Sequence, residues 1–483
     1  MCKAVEELVE RGKVEGKRAT MFATIFAAGL SLAVNAAQPA AVVTVDMDKS
    51  IGSMKPMHGV GQPPMMGALG DWSMMHYLKE AGVPYARLHD VGGWMGHGLY
   101  VDIPNLFPDF DADENDPKNY RFAYTDSLMK VLVANGVEPY FRLGVTIENF
   151  ASWGFPRLRT VPPKDYAKWA RICEHVVRHY TEGWADGFRM KVDHWEIWNE
   201  PDSENMNDAP MWSGTFEDFC RLYEVSSKHL KKCFPNLKIG GYGSSGLFKL
   251  VQAKPRPHDD YTKQCVDDFF RFVKERGCPL DFFSIHAYDM PGAPLVPKAM
   301  KAYAKYCRDE LDKLGYANTE LSMNEWLPRR SKPGSARQAA LCASLLIALQ
   351  DSAFDDAMIY DAKCGPGLYS PLFDPSTLKP RRAYWAICNF NELYRLGAQV
   401  KVSGMPDGVH AIAATDGRVA KLYMANIGGS MASFGVSARG WRVISFQRTD
   451  EDHVNTVLPV LSSAIALPPD SFGLVTFVKE RQE

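Results

Sequence analysis

His194-Trp195-Glu196-Ile197-Trp198-Asn199-Glu200-Pro201 is an apolar, aromatic run that ends in an amide and a carboxylate and is halted by proline. Proline cannot donate to a sheet ladder, so the run reads as a strand that stops at its own carboxyl end. In a parallel α/β barrel that end is where reactive groups are presented: the strand holds them rigidly while the following loop shapes the pocket. The other reading is an ordinary strand terminus with solvated Asn and Glu. It loses ground to a second strand-end carboxylate, Glu325, which closes the run Glu320-Leu321-Ser322-Met323-Asn324-Glu325-Trp326.

Outward from this strand, strand-like and helix-like segments alternate, the pattern of βα units on a parallel sheet. Candidate strands are Pro56–Gly61, Tyr85–His89, Glu138–Leu143, the opening stretch, Leu237–Gly241, Phe282–Tyr288, Glu320–Trp326 and Ala357–Asp361. Helices between them end in glycine at Gly82 and Gly136, and a long amphipathic helix covers about Lys164 to Tyr180. Eight units with right-handed crossovers close most economically into a (β/α)8 TIM barrel over residues 55–396. No glycine-rich phosphate fingerprint follows the first strand, which removes the support for a dinucleotide site. Val101 to Tyr120, rich in Asp, Asn and Pro, reads as an active-site loop too polar for the core. After the helix Arg382–Leu396, short alternating runs predict a β-sandwich over 397–483, joined by a strand from residues 38–54.

The chain has 483 residues, 46% hydrophobic and 12% aromatic, enough for one large core and a smaller second one. A formal net charge of −2 gives no electrostatic reason to expect nucleic acid or an anionic membrane as partner. Lys17 and Arg18 precede an apolar run from Met21 to Ala33, and Val34-Asn35-Ala36 supplies a small-x-small cleavage pattern. Residues 1–37 therefore read as an export signal whose true start lies after Met1, and a secreted or periplasmic location is expected. The run is too short to span a bilayer, so no membrane insertion of the mature chain is expected. Removing the signal takes Cys2 with it and leaves nine scattered cysteines, an odd set expected to be mostly free and buried. Neither Cys-x-x-Cys nor His-Glu-x-x-His occurs, so no metal and no cofactor is expected.

Two carboxylates across one barrel mouth suit glycosidic bond cleavage, where one acid protonates the leaving oxygen while the other attacks or activates water. Residues of one parity share a side of a strand, which predicts one row of Glu196, Trp198 and Glu200 and another of Met323 and Glu325. Arg87 and Arg142 can aim inward too. A buried carboxylate needs a cation, so Arg87 is expected to support Glu325, and Arg142 to compensate Glu196. His89, Asp90, His97 and His286 match no metal cage by spacing and fit hydrogen bonding to sugar hydroxyls better.

Trp198-Asn199-Glu200-Pro201, with Glu196 before it, resembles the acid/base motif of clan A glycoside hydrolases, and His194 to Asp202 is most similar to glycoside hydrolase family 39, the β-xylosidases and α-L-iduronidases. Arg87-Leu88-His89, Ile239-Gly240-Gly241, His286-Ala287-Tyr288 and Lys379-Pro380 to Tyr384 extend the resemblance, which covers about Met57 to Leu396. It implies Glu200 as general acid/base, Glu325 as nucleophile, and Asn199 as donor to the substrate's 2-hydroxyl. His89, Arg87, His286, Tyr288 and Trp326 complete the expected substrate-binding set, with Tyr288 either holding an oxygen of Glu325 or packing. Trp72, Trp94 and Trp198, like Trp326, can stack on sugar faces or be structural. Arg329 and Arg330 can bind a uronate carboxylate or be solvated. The chain departs from the family at Asn324, where Thr is common, and at Leu143-Gly144-Val145-Thr146, both where the sugar would sit. The expectation is a retaining, exo-acting hydrolase of oligo- or polysaccharides, xylosidase-, arabinosidase- or iduronidase-like. The rivals are a carbohydrate-binding barrel without catalysis and a metal-dependent barrel hydrolase.

Overall fold

The computed structural model describes residues 41–64, 74–91, 101–146, 160–203, 211–252, 254–290, 292–364, 369–460 and 464–480. Residues 1–37, Trp72, Trp94 and His97 lie outside the described residues. A first strand, β1 (Val42–Ser53), precedes eight parallel strands: β2 (Gly59–Gly61), β3 (Tyr85–Leu88), β4 (Glu138–Leu143), β5 (His194–Ile197), β6 (Lys238–Ser244), β7 (Phe282–Tyr288), β8 (Glu320–Leu327) and β9 (Asp356–Tyr360). These eight close in chain order into a barrel, with β9 paired back onto β2. The helices outside it are α1 (Met75–Glu80), α2 (Ile103–Leu106), α3 (Ala123–Ala134), α4 (Tyr166–Thr181), α5 (Phe216–Cys233), α6 (Pro257–Arg276), α7 (Pro297–Lys313), α8 (Ala336–Gln350) and α9 (Arg382–Tyr394).

Local chemistry explains the two helices that flank β5. Asp165 caps α4 by accepting from the Lys168 backbone N–H, and Thr215 and Asp218 form a reciprocal capping box at the start of α5. The segment 101–120, expected to be too polar for the core, is built into the barrel wall instead. Val101, Ile103, Leu106, Phe107 and Tyr120 are buried in the main core, and Asp109, Asp113 and Asp116 form turns on the outside.

Beyond the barrel, β1 joins β10 (Ala398–Ser403), β11 (Val409–Thr415), β12 (Val419–Asn426), β13 (Ala432–Ser437), β14 (Trp441–Thr449), β15 (Thr456–Leu458), β16 (Ala464–Leu467) and β17 (Ser471–Lys479). The expected sandwich is one continuous nine-stranded sheet in the order β15-β14-β17-β12-β11-β10-β1-β13-β16, curled so that its inner face makes a core of its own. Ladders are antiparallel except for β1 on β13. Alternation divides the faces. Leu422, Met424, Val475 and Phe477 point into the curl, while Ile412, Ala414, Tyr423, Ala425, Phe472 and Leu474 belong to the barrel's core. Tyr423 donates to the Ala386 carbonyl on α9, and Arg382 donates to the Asp450 and Glu451 carbonyls.

Only Arg395, Leu396 and Gly397 separate α9 from β10. A shared core and a connection without a linker leave no independent hinge. Limited proteolysis is therefore expected to release no folded C-terminal fragment; recovery of one that keeps cooperative melting would contradict the shared core. Among the described residues no helix is long and apolar enough to cross a membrane. The nine cysteines from Cys173 to Cys388 are unpaired.

Candidate active site

Arg87, on β3 and fully buried, is the hub of the site. Its Nε donates to Glu196 Oε2 at 2.8 Å, Nη1 to Glu325 Oε2 at 3.0 Å and Nη2 to Asn199 Oδ1 at 2.6 Å. One guanidinium thus compensates two buried carboxylates and turns the Asn199 amide so that Nδ2 points away from it. Glu196, at the bottom of the network, also accepts from Ser284 Oγ at 2.5 Å and Asn324 Nδ2 at 2.6 Å.

This differs from the expected division of labour between the two arginines. Arg142 does not reach Glu196: its Nη2 donates to Asp102 Oδ1 at 2.7 Å and its Nε to His89 Nδ1 at 3.2 Å. Asp102 comes from the segment read as a polar loop, so its carboxylate was not counted among the buried charges. Arg87 in turn is fully buried and directs Nε, Nη1 and Nη2 to protein groups, which makes it a support for the two carboxylates.

The side-chain rows are also corrected. β5 ends at Ile197, and Trp198 and Glu200 take positive φ values of 72° and 45°. Such left-handed residues are uncommon outside glycine and cluster at functional sites. The twist sends Trp198 outward, where its indole donates to the Met211 carbonyl and packs beside Trp169 and Trp212, while Asn199 and Glu200 turn inward. On β8 a bulge does the equivalent: Ser322 pairs Ser284 but Glu325 pairs His286, so three steps on β8 match two on β7. Asn324 and Glu325 consequently both reach the interior, and Met323 and Trp326 both lie in the apolar core. Trp326 is 0% exposed and offers no face to a sugar.

Glu200 and Glu325 face each other with His286 between them. One oxygen of each carboxylate and a ring nitrogen of His286 all lie within 4.8 Å of one another. His286 Nδ1 is hydrogen-bonded to Glu200 Oε1 at 2.6 Å, and its Nε2 stands 3.5 Å from Glu325 Oε2. Tyr288 donates its hydroxyl to Glu325 Oε1, so this residue does hold the carboxylate. Burial pushes Glu200 up to about 7. Burial also raises Glu325, but His286, Arg87 and the Tyr288 hydroxyl pull it back down. Burial lowers His286, against the opposing pull of the Glu325 carboxylate. Of the two carboxyls, Glu325 is the one whose charge is met by both a guanidinium and a hydroxyl donor.

Gly243, at the end of β6 with φ of 62°, keeps this cluster close-packed. A Cβ there would come 3.0 Å from His286 Nε2 and 3.1 Å from Arg87 Nη2.

His89 does not offer a nitrogen to a ligand: Nδ1 accepts from Arg142 and Nε2 sits 3.2 Å from Asp90 Oδ1. It positions Asp90, which also accepts from the Tyr360 hydroxyl at 2.9 Å. Ser284 and Tyr360 went unremarked as site residues in the sequence, whereas Asp90 and Asn324 do lie at the site. Ser284 was within reach, being two positions before His286 on one strand. Just past β9, Asp361 is buried and neither carboxyl oxygen has a hydrogen-bond partner among the described residues; the same holds for Gln62 Oε1. Burial holds the Asp361 carboxyl well above the usual range, with Asp90 and Glu325 adding to the effect.

Glu200, His286 and Glu325 are also donor types that a metal ion accepts. Their orientation does not favour one: the two His286 nitrogens address different carboxylates, and the Arg87 guanidinium already supplies the positive charge beside Glu325.

The fold and the cluster can be set beside known proteins. Over 200 residues the chain is 29% identical to a β-xylosidase of Geobacillus stearothermophilus, covering 40% of this chain and 35% of that protein. A β-xylosidase of Caldicellulosiruptor saccharolyticus is 27% identical over 285 residues, covering 56% and 51%. Human α-L-iduronidase is 24% identical over 210 residues, covering 43% and 29%. The chain thus spans between about a third and a half of the two xylosidases it matches. The crystal structure of a glucosidase from Croceicoccus marinus shares the fold with a TM-score of 0.72 at 22% identity, covering 91% of this chain and 99% of that one. A monomeric β-xylosidase from Caulobacter crescentus does so with a TM-score of 0.65 at 17% identity, covering 91% and 100%. The sequence profile of Glycosyl hydrolases family 39 matches residues 55–349, which take in the barrel from β2 through α8 with both strand-end glutamates, and the chain belongs to that family.

Proposed function

We propose that the chain is a retaining glycoside hydrolase acting by double displacement, with Glu325 as nucleophile and Glu200 as general acid/base. The observation that carries this reading is the approach of the two carboxylates, oxygen to oxygen within 4.8 Å. Retaining pairs stand about 5–5.5 Å apart, and inverting pairs about 6.5–9.5 Å to admit a water. In the first step Glu200, protonated, gives its proton to the leaving oxygen while Glu325 Oε attacks the anomeric carbon. Arg87 and Tyr288 keep Glu325 ionised and aimed. In the second step Glu200, now a base, takes a proton from water, and the oxygen of that water displaces Glu325. Asn199 Nδ2, fixed by Arg87 on Oδ1, donates to the 2-hydroxyl, and Asp361 and Gln62 supply acceptors for other hydroxyls.

The names of the relatives support a xylosidase- or iduronidase-like specificity, and a terminal sugar of an oligo- or polysaccharide, arabinosides included, stays within the proposal. The run Met21–Ala33 with Val34-Asn35-Ala36 supports export to a secreted or periplasmic location. A screen of aryl xylosides, arabinosides, galactosides and iduronides tests the reading; turnover of none of them, or turnover abolished by dialysis against a chelator, would overturn it.

The protonation states set the pH profile. Glu200 must carry its proton, so kcat/KM is expected to fall as pH rises through about 7, its raised value. Glu325 must be ionised, so activity is expected to fall on the acid side, at a pH shifted upward from that of an ordinary glutamate. A profile flat from neutral to alkaline pH would contradict Glu200 as the acid.

A further inference from the structure

On the outside of the barrel, away from the mouth, α4 and α5 bring a carboxylate, an imidazole and a thiol, all zinc-ligand types, to one spot. His229 and Cys233 lie four residues apart on α5 and so share a face, and Glu174 meets them from α4. Glu174 Oε2 is 2.6 Å from His229 Nε2, Cys233 Sγ is 3.9 Å from the same nitrogen, and all three donor atoms lie within 4.8 Å of one another. We infer that Glu174, His229 and Cys233 form a binding site for a zinc-class divalent ion, which would staple the two helices flanking β5.

The geometry is close to what such an ion requires. Tetrahedral zinc with its usual bond lengths places N and O donors about 3.4 Å apart and N and S donors about 3.6 Å apart. The first pair opens by about 0.8 Å and the second closes by about 0.3 Å, shifts within reach of side-chain rotation. All three residues are half-buried, so an aqueous ion reaches them and water completes the fourth position.

Charge also fits. Arg178 donates through Nε to the other Glu174 oxygen, Oε1, at 2.7 Å, which orients the carboxylate and leaves Oε2 for the ion. Glu182 holds the far side of the Arg178 guanidinium, whose carbon lies 5.2 Å from the centroid of the Phe234 ring. Two carboxylates and a thiolate thus balance the guanidinium and a divalent ion. Binding releases the thiol proton, which burial otherwise holds on Cys233. The site is anchored one helix on either side of the strand that delivers Asn199 and Glu200, so it bears on the rigidity of that unit and not on the chemistry.

The test uses the full chain, stripped with a chelator and titrated with Co²⁺ and then Zn²⁺. The expected result is one equivalent of Co²⁺ with a tetrahedral visible spectrum and a thiolate charge-transfer band, displaced by Zn²⁺, with a rise in Tm. His229→Ala and Cys233→Ser are expected to lose the band and the Tm response while keeping aryl glycoside hydrolysis unchanged. His229→Gln, which keeps a hydrogen-bonding side chain, is expected to keep the metal-free Tm but not the band. Absence of the band in the wild-type chain, or its survival in Cys233→Ser, would overturn the assignment.

Discussion

Glu325→Ala is expected to abolish turnover of every glycoside, whereas Glu200→Ala retains the first step on substrates whose leaving group needs no proton. The asymmetry follows from protonation. Glu325 supplies the electron pair that forms the glycosyl-enzyme, and no leaving group can substitute for it. Glu200 supplies a proton, and an activated aryl leaving group departs without one. General acid–base help is worth about 10²–10⁴-fold, so Glu200→Ala should lose that much on poor leaving groups and far less on good ones. Its second step, which lacks the base, becomes limiting. Azide attacks the intermediate without base help, so it is expected to restore turnover of Glu200→Ala and give a glycosyl azide of unchanged anomeric configuration. Equal losses in both variants on good and poor leaving groups, or an inverted azide from Glu200→Ala, would reverse or remove these roles.

Arg87→Met is expected to be the most damaging change outside the two glutamates, because it removes the one cation bonded to both Glu196 and Glu325. Stranding buried charges in this way costs about 3–5 kcal/mol. Activity should fall with it, since Asn199 loses the partner that turns its amide and Glu325 the contact that keeps it ionised. The sign of the pH effect is fixed. Arg87 pulls both Glu325 and Glu200 down, so without it both rise, and the acid and alkaline limbs of the residual activity move to higher pH together. Arg87→Met/Glu196→Met should recover part of the stability, because the buried charge goes with its partner, but not the activity. A single variant with wild-type stability and unshifted limbs would show that the hub is not what poises the site.

The barrel was legible in the sequence because each βα unit carries its own punctuation. Glycines at 82 and 136 end helices, and β4 and β7 were read with the bounds they have in the structure. Both strand-end glutamates followed from the same pattern. What escaped were local departures from regular geometry. The bulge on β8 puts Asn324 and Glu325 on one side against simple alternation, and nothing in the composition of Met323-Asn324-Glu325-Trp326 announces it. The left-handed turn at Trp198 similarly breaks the row with Glu196 and Glu200. Arg142 was given the wrong partner because Asp102 lies in a segment whose acidic average hides one buried carboxylate. In the curled sheet, Thr456–Leu458 and Ala464–Leu467 are too short to alternate detectably, and the pairing of β1 with β13 and β10 is long-range information.

The central claim is that Glu325 becomes covalently glycosylated while Glu200 manages the protons. The most direct measurement uses the 2-deoxy-2-fluoro derivative, with an activated leaving group, of whichever aryl glycoside the enzyme turns over. Fluorine at C2 destabilises the oxocarbenium-like transition states of both steps, and the good leaving group restores the first, so the intermediate accumulates. Mass spectrometry of the digested protein is predicted to find one sugar per chain, attached to Glu325, with hydrolysis of the parent substrate releasing the retained anomer. A label on any other residue, or release of the inverted anomer without a covalent adduct, would contradict the account.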